Sequence, residues 1–200
     1  MRLFIKILIF FFLLSTNVFA DEVAKWLKKE IDVILNAYTD TSMTNEARFL
    51  MIENTINYNF AGAGIAKFVS GDSWKNANKD TKKEYIKLFK RHLALNIASL
   101  MQGYSNQQYE LKNLKYDSKS KVSLINMEIF NDTGNLEVTW RVKQSKDRFF
   151  VIDLLVADIS LVVTKRSEFN SMLKTVNNDL NQFNSLLYDR NKISFTKLIN

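Results

Sequence analysis

The chain has 200 residues, a formal net charge of +7, one histidine, no cysteine, no proline and five glycines. Without cysteine there are no disulfide staples and no thiolate chemistry, so stability must come from packing. A single histidine leaves Ser–His and Cys–His nucleophile pairs little to build on, and no carboxylate–histidine cluster has metal-ligand spacing.

The chain starts with Arg2 and Lys6, then the apolar run ILIFFFLLS, then NVFA before DEV. A charged start, a short apolar run and small residues at Val18 and Ala20 read as a secretory signal peptide, Met1 to Ala20, cleaved after Ala20. The run is too short to span a bilayer comfortably. About 180 residues remain, which is one domain with volume for a core. Arg2 and Lys6 account for two of the positive charges, leaving +5 beyond Ala20. That excess points to an acidic partner: nucleic acid, an anionic membrane surface or an acidic protein. Export argues against nucleic acid.

Beyond Asp21, Val23, Trp26, Leu27, Ile31, Ile34, Leu35 and Tyr38 fall at helical spacing. TDTSMTNE breaks the pattern, and Thr44 or Asn45 can cap a second helix to about Asn59 carrying Phe49, Leu50, Ile52, Ile56 and Phe60. A short helix follows, from about Gly62 to Val69. The glycines of AGAGIA lack the preceding strand that a phosphate-binding loop needs. Asn78 or Asp80 caps the longest helix, running to about Gln102. Lys79, Lys83, Lys87 and Lys90 lie along one stripe of it, and its second half is apolar nearly all round.

After Gly103 the period becomes strand-like. QYELKNLKY, KVSLINMEIF, LEVTWRVKQ and RFFVIDLLV are four strand-length runs joined by DSKS, NDTG and SKD, which predicts an antiparallel meander with NDTG as a hairpin turn. The fourth run is unusual because both of its alternating faces are apolar, so both must be covered. Helical spacing returns near Ser160 with Val162, Phe169, Met172, Leu173 and Val176. It returns again after Asn177-Asn178 with Leu180, Phe183, Leu186 and Leu187. The ending RNKISFTKLIN has no clear pattern, so residues 21–190 are taken as the domain and 191–200 as a C-terminal tail. Helices, a meander, then helices describe an α+β domain with helices packed on a four-stranded antiparallel sheet.

His92, mid-helix among bulky neighbours, reads as a packing or hydrogen-bonding residue. Asp153 and Asp158 interrupt the apolar run. Asp153 reads as a partner of Arg141 or Arg166, or as a cap of the following helix, more readily than as a buried base.

The segment from Trp140 to Phe169 resembles the signature of the MlaC-type, toluene-tolerance family of periplasmic phospholipid-transport proteins. The matching positions are Trp140 and Arg141, Phe149, Asp153, Ser160-Leu161-Val162, and Arg166 with Phe169. Upstream, Phe60, Gly71, Trp74, Tyr85 and Phe89 stand where the family has a Phe entering a short helix, a Gly, a Trp and paired aromatics. The chain departs from the pattern at Ala61 (often Asp), Asp158 (usually Gly), Lys165 (usually Tyr) and Asn177-Asn178 (usually near a Gly).

The resemblance implies a nuclear-transport-factor-like cone, with helices wrapped on a curved sheet around an apolar cavity. It also implies a soluble periplasmic carrier in a Gram-negative bacterium, with phospholipid as its cargo and no cofactor, metal or catalytic residue. The carrier would pass lipid between an outer-membrane lipoprotein–porin complex and an inner-membrane Mla-type ABC transporter, maintaining outer-membrane lipid asymmetry. A monomer suits a shuttle. The expected cavity lining is Phe60, Ile65, Phe68, Leu93, Ile97, Leu100, Met101, Val138, Trp140, Val151, Leu155 and Leu161, with Ala98 a place where a larger side chain would fill the pocket. Two other classes fit the same residues: a periplasmic chaperone for apolar polypeptide segments, and a cone-fold enzyme using Asp153.

Overall fold

The computed structural model describes residues 2–104, 107–131 and 134–200, with backbone alone for residues 2–20 and 131. Helix α1 runs Arg2–Thr39, α2 Asn45–Asn59, α3 Gly62–Ser70, α4 Ser73–Asn76 and α5 Lys79–Met101. The strands are β1 Tyr109–Asp117, β2 Val122–Asn131, β3 Gly134–Ser145, β4 Arg148–Val156 and β5 Ile159–Ser160. Two helices close the chain, α6 Leu161–Lys174 and α7 Leu180–Ile199. The segment expected to be a signal peptide forms the first half of α1.

Side-chain caps fix the helix starts. Thr44 accepts from the Ala47 amide at 3.1 Å and Asn78 from the Thr81 amide at 2.8 Å. Ser160 caps α6 through the Val163 amide at 3.1 Å, and Asp179 caps α7 through Asn181 at 2.8 Å. The two-residue β5 and the single turn α4 are too short to leave a period in the sequence.

The segment expected to be a tail is the last two and a half turns of α7. Asn191 and Leu198 are buried, and Phe195 meets Phe49 edge-on with ring centroids 5.1 Å apart. Apolar residues on only part of that helix's surface, with Ile193 exposed, made the stripe too narrow to read.

The sheet is a meander in the order β1-β2-β3-β4-β5, antiparallel throughout, one short strand more than expected. Asn131 pairs with Gly134 across the β2–β3 hairpin, and Asp132 and Thr133 of the expected turn lie outside the described residues. Two register shifts, between Leu111 and Leu114 and between Arg141 and Val142, mark bulges that bend the sheet.

The second bulge explains the doubly apolar strand. Trp140 pairs with Leu154 and Arg141 with Asp153, but Val142 pairs with Val151, so Ile152 is the extra residue. Phe149, Val151, Leu154 and Val156 therefore share a face with Trp140 and Val142. Phe150, Asp153 and Leu155 take the other. On the first face Ile125, Val138, Val142 and Val151 are buried. The free edge of β4 is covered by the chain leaving α2, where the Ala61 amide donates to the Val151 carbonyl at 2.9 Å.

The helical layer has its own core. Phe169 of α6 lies edge-on to Phe89 of α5 at 5.8 Å and to Phe183 of α7 at 5.2 Å, and Tyr85 sits 6.1 Å from Phe183. All four are fully buried.

The β4–β5 turn holds Ala157 at φ 47° and Asp158 at φ 63°. Two consecutive positive φ values favour Asn or Gly, and an alanine there carries a steric cost. Ala157→Gly should therefore raise stability by about 1 kcal/mol, seen as a higher urea midpoint at unchanged slope. A lower midpoint would show that the turn tolerates the alanine without strain.

Candidate functional site

Helix α1 lies against the sheet face that carries Trp140. The Trp26 ring packs on Phe149 of β4 at 5.6 Å, and the Tyr109 hydroxyl of β1 donates to Asp32 Oδ1 at 2.5 Å. Lys28 completes that clasp. Its ammonium lies 2.6 Å from Asp32 Oδ2 and 5.7 Å from the Tyr109 ring centre. Burial, then the adjacent Asp32 carboxylate, holds the Tyr109 hydroxyl above its ordinary range. The Tyr38 hydroxyl donates to the Ala98 carbonyl at 3.4 Å, which ties α1 to α5.

Val23, Leu27 and Ile31 of α1 are buried, whereas Trp26, Ile34, Leu35 and Tyr38 are half-buried. Leu93, Ile97 and Met101 of α5 are also half-buried, recurring every four residues. On the sheet so are Leu111, Leu114, Ile129, Trp140, Leu154 and Val156. These incompletely covered apolar side chains come from α1, α5 and one sheet face, where a core would normally close. Half-buried and packed against the buried core, they are the chain's apolar seam.

The expected lining residues divide accordingly. Leu93, Ile97, Met101 and Trp140 belong to the seam. Phe60, Ile65, Val138 and Val151 are core residues, each under a tenth exposed. Leu155 stands on the opposite sheet face, paired with Ser160 of β5, because the bulge at Ile152 reverses the alternation. Leu161 is half-buried in the first turn of α6. Leu100 is 72% exposed on the outside of α5. Phe68 is also exposed, held under the Arg166 guanidinium at 4.4 Å. Ala98 is fully buried in the core, so a larger residue there would disrupt packing rather than fill a pocket. The α1 residues were missed although Trp26, Ile34, Leu35 and Tyr38 already stood in the helical pattern. Their width on that helix exceeds one face, which was the available signal.

The cavities along the α5–α7 seam have a different character. Volumes of about 580, 400 and 330 Å³ are lined by groups such as Asn78, Glu84 and Asn184, then Asn96, Glu168 and Arg190, then Lys87, Arg91 and Lys192. Leu88, Leu95, Tyr188, Phe195 and Leu198 share their walls, so these grooves mix polar and apolar lining. Lys79, Lys83 and Lys87 are exposed, and Lys87 lies 3.9 Å from Glu84.

Asp153 is saturated. Its side chain is 4% exposed and accepts from the Leu154 amide at 2.8 Å, the Ser160 hydroxyl at 2.7 Å, the Val162 amide at 3.2 Å and Arg141 at 3.4 Å. It pairs with Arg141 and caps the following helix at once. Arg166, the other partner considered, donates instead to the Phe68 carbonyl at 2.7 Å. Acid–base work by Asp153 would require breaking this node.

His92 is buried beside Phe169, with ring centroids 5.3 Å apart. Asn191 donates its amide N–H to the Leu88 carbonyl at 2.9 Å, so its oxygen faces His92 Nδ1 at 3.1 Å. The proton therefore sits on Nδ1. Burial first, then the Lys165 charge, pushes the imidazole down to about 4.

Helices closing over one face of a bulged antiparallel meander define an α+β class with an apolar seam. The chain belongs to the MlaC protein family, whose model matches residues 27–188. A solved structure of similar fold is the phospholipid-binding protein from Ralstonia solanacearum in complex with a phospholipid. It is 14% identical with a TM-score of 0.71, over 84% of this chain and 96% of that one. No match was found among curated proteins.

Two outcomes follow from the buried groups. Asp153→Ala should cost about 3 kcal/mol, because it orphans several donors. Arg141→Gln should cost less than about 1 kcal/mol, since the guanidinium is 43% exposed. Equal losses by urea titration would contradict the node. His92 titrates at 6.5 unfolded and at about 4 folded. The unfolded chain thus binds more protons between these values, and the stability present above pH 6.5 is lost as pH falls toward 4, by up to about 3 kcal/mol. Lys165 and Glu168 on α6 and Arg190 on α7 are the charges facing it. His92→Gln keeps a donor for Asn191 but removes the titration, so its stability should fall less over that window. An unchanged slope would contradict the assignment.

Proposed function

We propose that this protein is a soluble periplasmic phospholipid carrier. The observation that carries the reading is the seam of half-buried apolar side chains from α1, α5 and the Trp140 face of the sheet, in a member of the MlaC family. Moving a two-chain lipid through water exposes about 30 methylenes, at about 0.8 kcal/mol each. A cost on the order of 20 kcal/mol requires a protein that covers the tails, and covering needs shape and apolar lining without catalysis. The phospholipid held by the Ralstonia solanacearum protein of the same fold supports that cargo.

In this reading the first twenty residues are a signal peptide removed on export to the periplasm of a Gram-negative bacterium. The partners are an inner-membrane Mla-type ABC transporter and an outer-membrane lipoprotein–porin complex, and the role is upkeep of outer-membrane lipid asymmetry. The exposed Lys79, Lys83 and Lys87 suit an approach to anionic headgroups or acidic docking surfaces.

Native mass spectrometry of the chain from Asp21, recovered from a bacterial periplasm, should show an added mass equal to an intact diacyl phospholipid. Ile97→Trp, in the seam, should lower that occupancy severalfold without loss of fold by circular dichroism. A clean unliganded mass that persists after incubation with phospholipid vesicles would overturn the carrier reading and favour a chaperone for apolar polypeptide segments.

A further inference from the structure

Trp140 sits mid-strand on β3, on the face that meets α1, with Ile125 of β2 and Leu154 of β4 as its neighbours in register. Its ring is half-buried in the apolar seam. Its indole N–H is buried and has no hydrogen-bond partner among the described residues. Among the described residues, the other unpartnered buried side-chain atoms include His92 Nε2 and Asn184 Oδ1, on α5 and α7. Trp140 therefore carries a covered, unmet donor on the sheet face that meets α1, and its register neighbours Ile125 and Leu154 offer no side-chain acceptor.

We propose that the Trp140 indole N–H donates to an ester carbonyl of the bound diacyl phospholipid, fixing how deep the lipid sits and selecting ester-linked over ether-linked lipid. This rests on the carrier reading. A phospholipid entering tails first presents three zones. The phosphate is charged and stays hydrated, because its desolvation among apolar groups is too costly. The methylenes hold no acceptor. Between them lie the ester carbonyls, neutral acceptors at the top of the hydrocarbon. They are the groups on this cargo that can pair with an indole N–H at an apolar wall. A dialkyl ether lipid of the same chains and headgroup keeps the apolar contact but lacks the carbonyls. Its ether oxygen is a weaker acceptor.

The test is competition between diacyl phosphatidylglycerol and its dialkyl ether counterpart of equal chain length, offered as equimolar vesicles and read by native mass spectrometry. The wild type should favour the diacyl lipid on the order of tenfold, the equilibrium factor of one hydrogen bond in a dry site. Trp140→Phe should bind both lipids equally. The wild type also reports directly: of the three tryptophan indole N–H resonances, that of Trp140 should move downfield with the diacyl lipid and stay in place with the ether lipid. Equal occupancy by both lipids, a preference retained in Trp140→Phe, or an indole resonance unmoved by the diacyl lipid overturns this inference and leaves the carrier reading intact. Binding of neither lipid overturns both. The resonance measurement decides the matter even where Trp140→Phe fails to fold.

Discussion

One buried carboxylate organises the second half of the chain. Asp153 joins three elements: its own strand through Leu154, the β5 step through Ser160 and the first turn of α6 through Val162. A charge this buried is tolerable only when its oxygens are filled, and here backbone amides, a hydroxyl and Arg141 fill them. The position of the carboxylate fixes where α6 begins. That start in turn places Phe169 between Phe89 and Phe183, which closes the aromatic core of the helical layer. Shifting the α6 start by one residue would rotate Phe169 by about 100° and empty that core.

The same region shows what covers one face of a strand that is apolar on both. The bulge at Ile152 lets Val151 and Leu154 face the helices together while Asp153 turns to α6. One face of β4 is covered by the chain's own helices. Further along that face, around Trp140 and Leu154, coverage is incomplete, and the carrier reading assigns the remainder to acyl chains. Structural core and proposed cargo site are thus adjacent stretches of one continuous surface. Phe60, Val138 and Val151, expected at the cavity wall, are buried core residues.

The fold was legible where a period ran long enough. Helix α5, the four long strands and the caps at Thr44 and Asn78 stand as their patterns implied. The short α4 and β5, and the helical end of α7, were hidden because one or two turns, or a stripe broken by an exposed Ile193, produce no clear repeat. The bulge was illegible for a chemical reason: Ile152 is as apolar as its neighbours, so nothing marks it as the extra residue, and every face assignment beyond it, Leu155 among them, inverts. Leu100 extended an apolar run past the buried stripe of α5. Hydrophobicity alone did not separate a residue at the seam from one facing water. In contrast, Asp153 was readable, since a lone carboxylate in an apolar run must find donors nearby, and Arg141 and the helix start were the donors within reach.

The central claim is that the seam between α1, α5 and the sheet carries phospholipid through water. Two vesicle populations held apart by a membrane permeable to the protein but not to vesicles test it most directly, with labelled phospholipid in one population only. The carrier account predicts label in the acceptor vesicles at a rate proportional to the concentration of the protein starting at Asp21. Acceptor label no higher than in a protein-free control would contradict it.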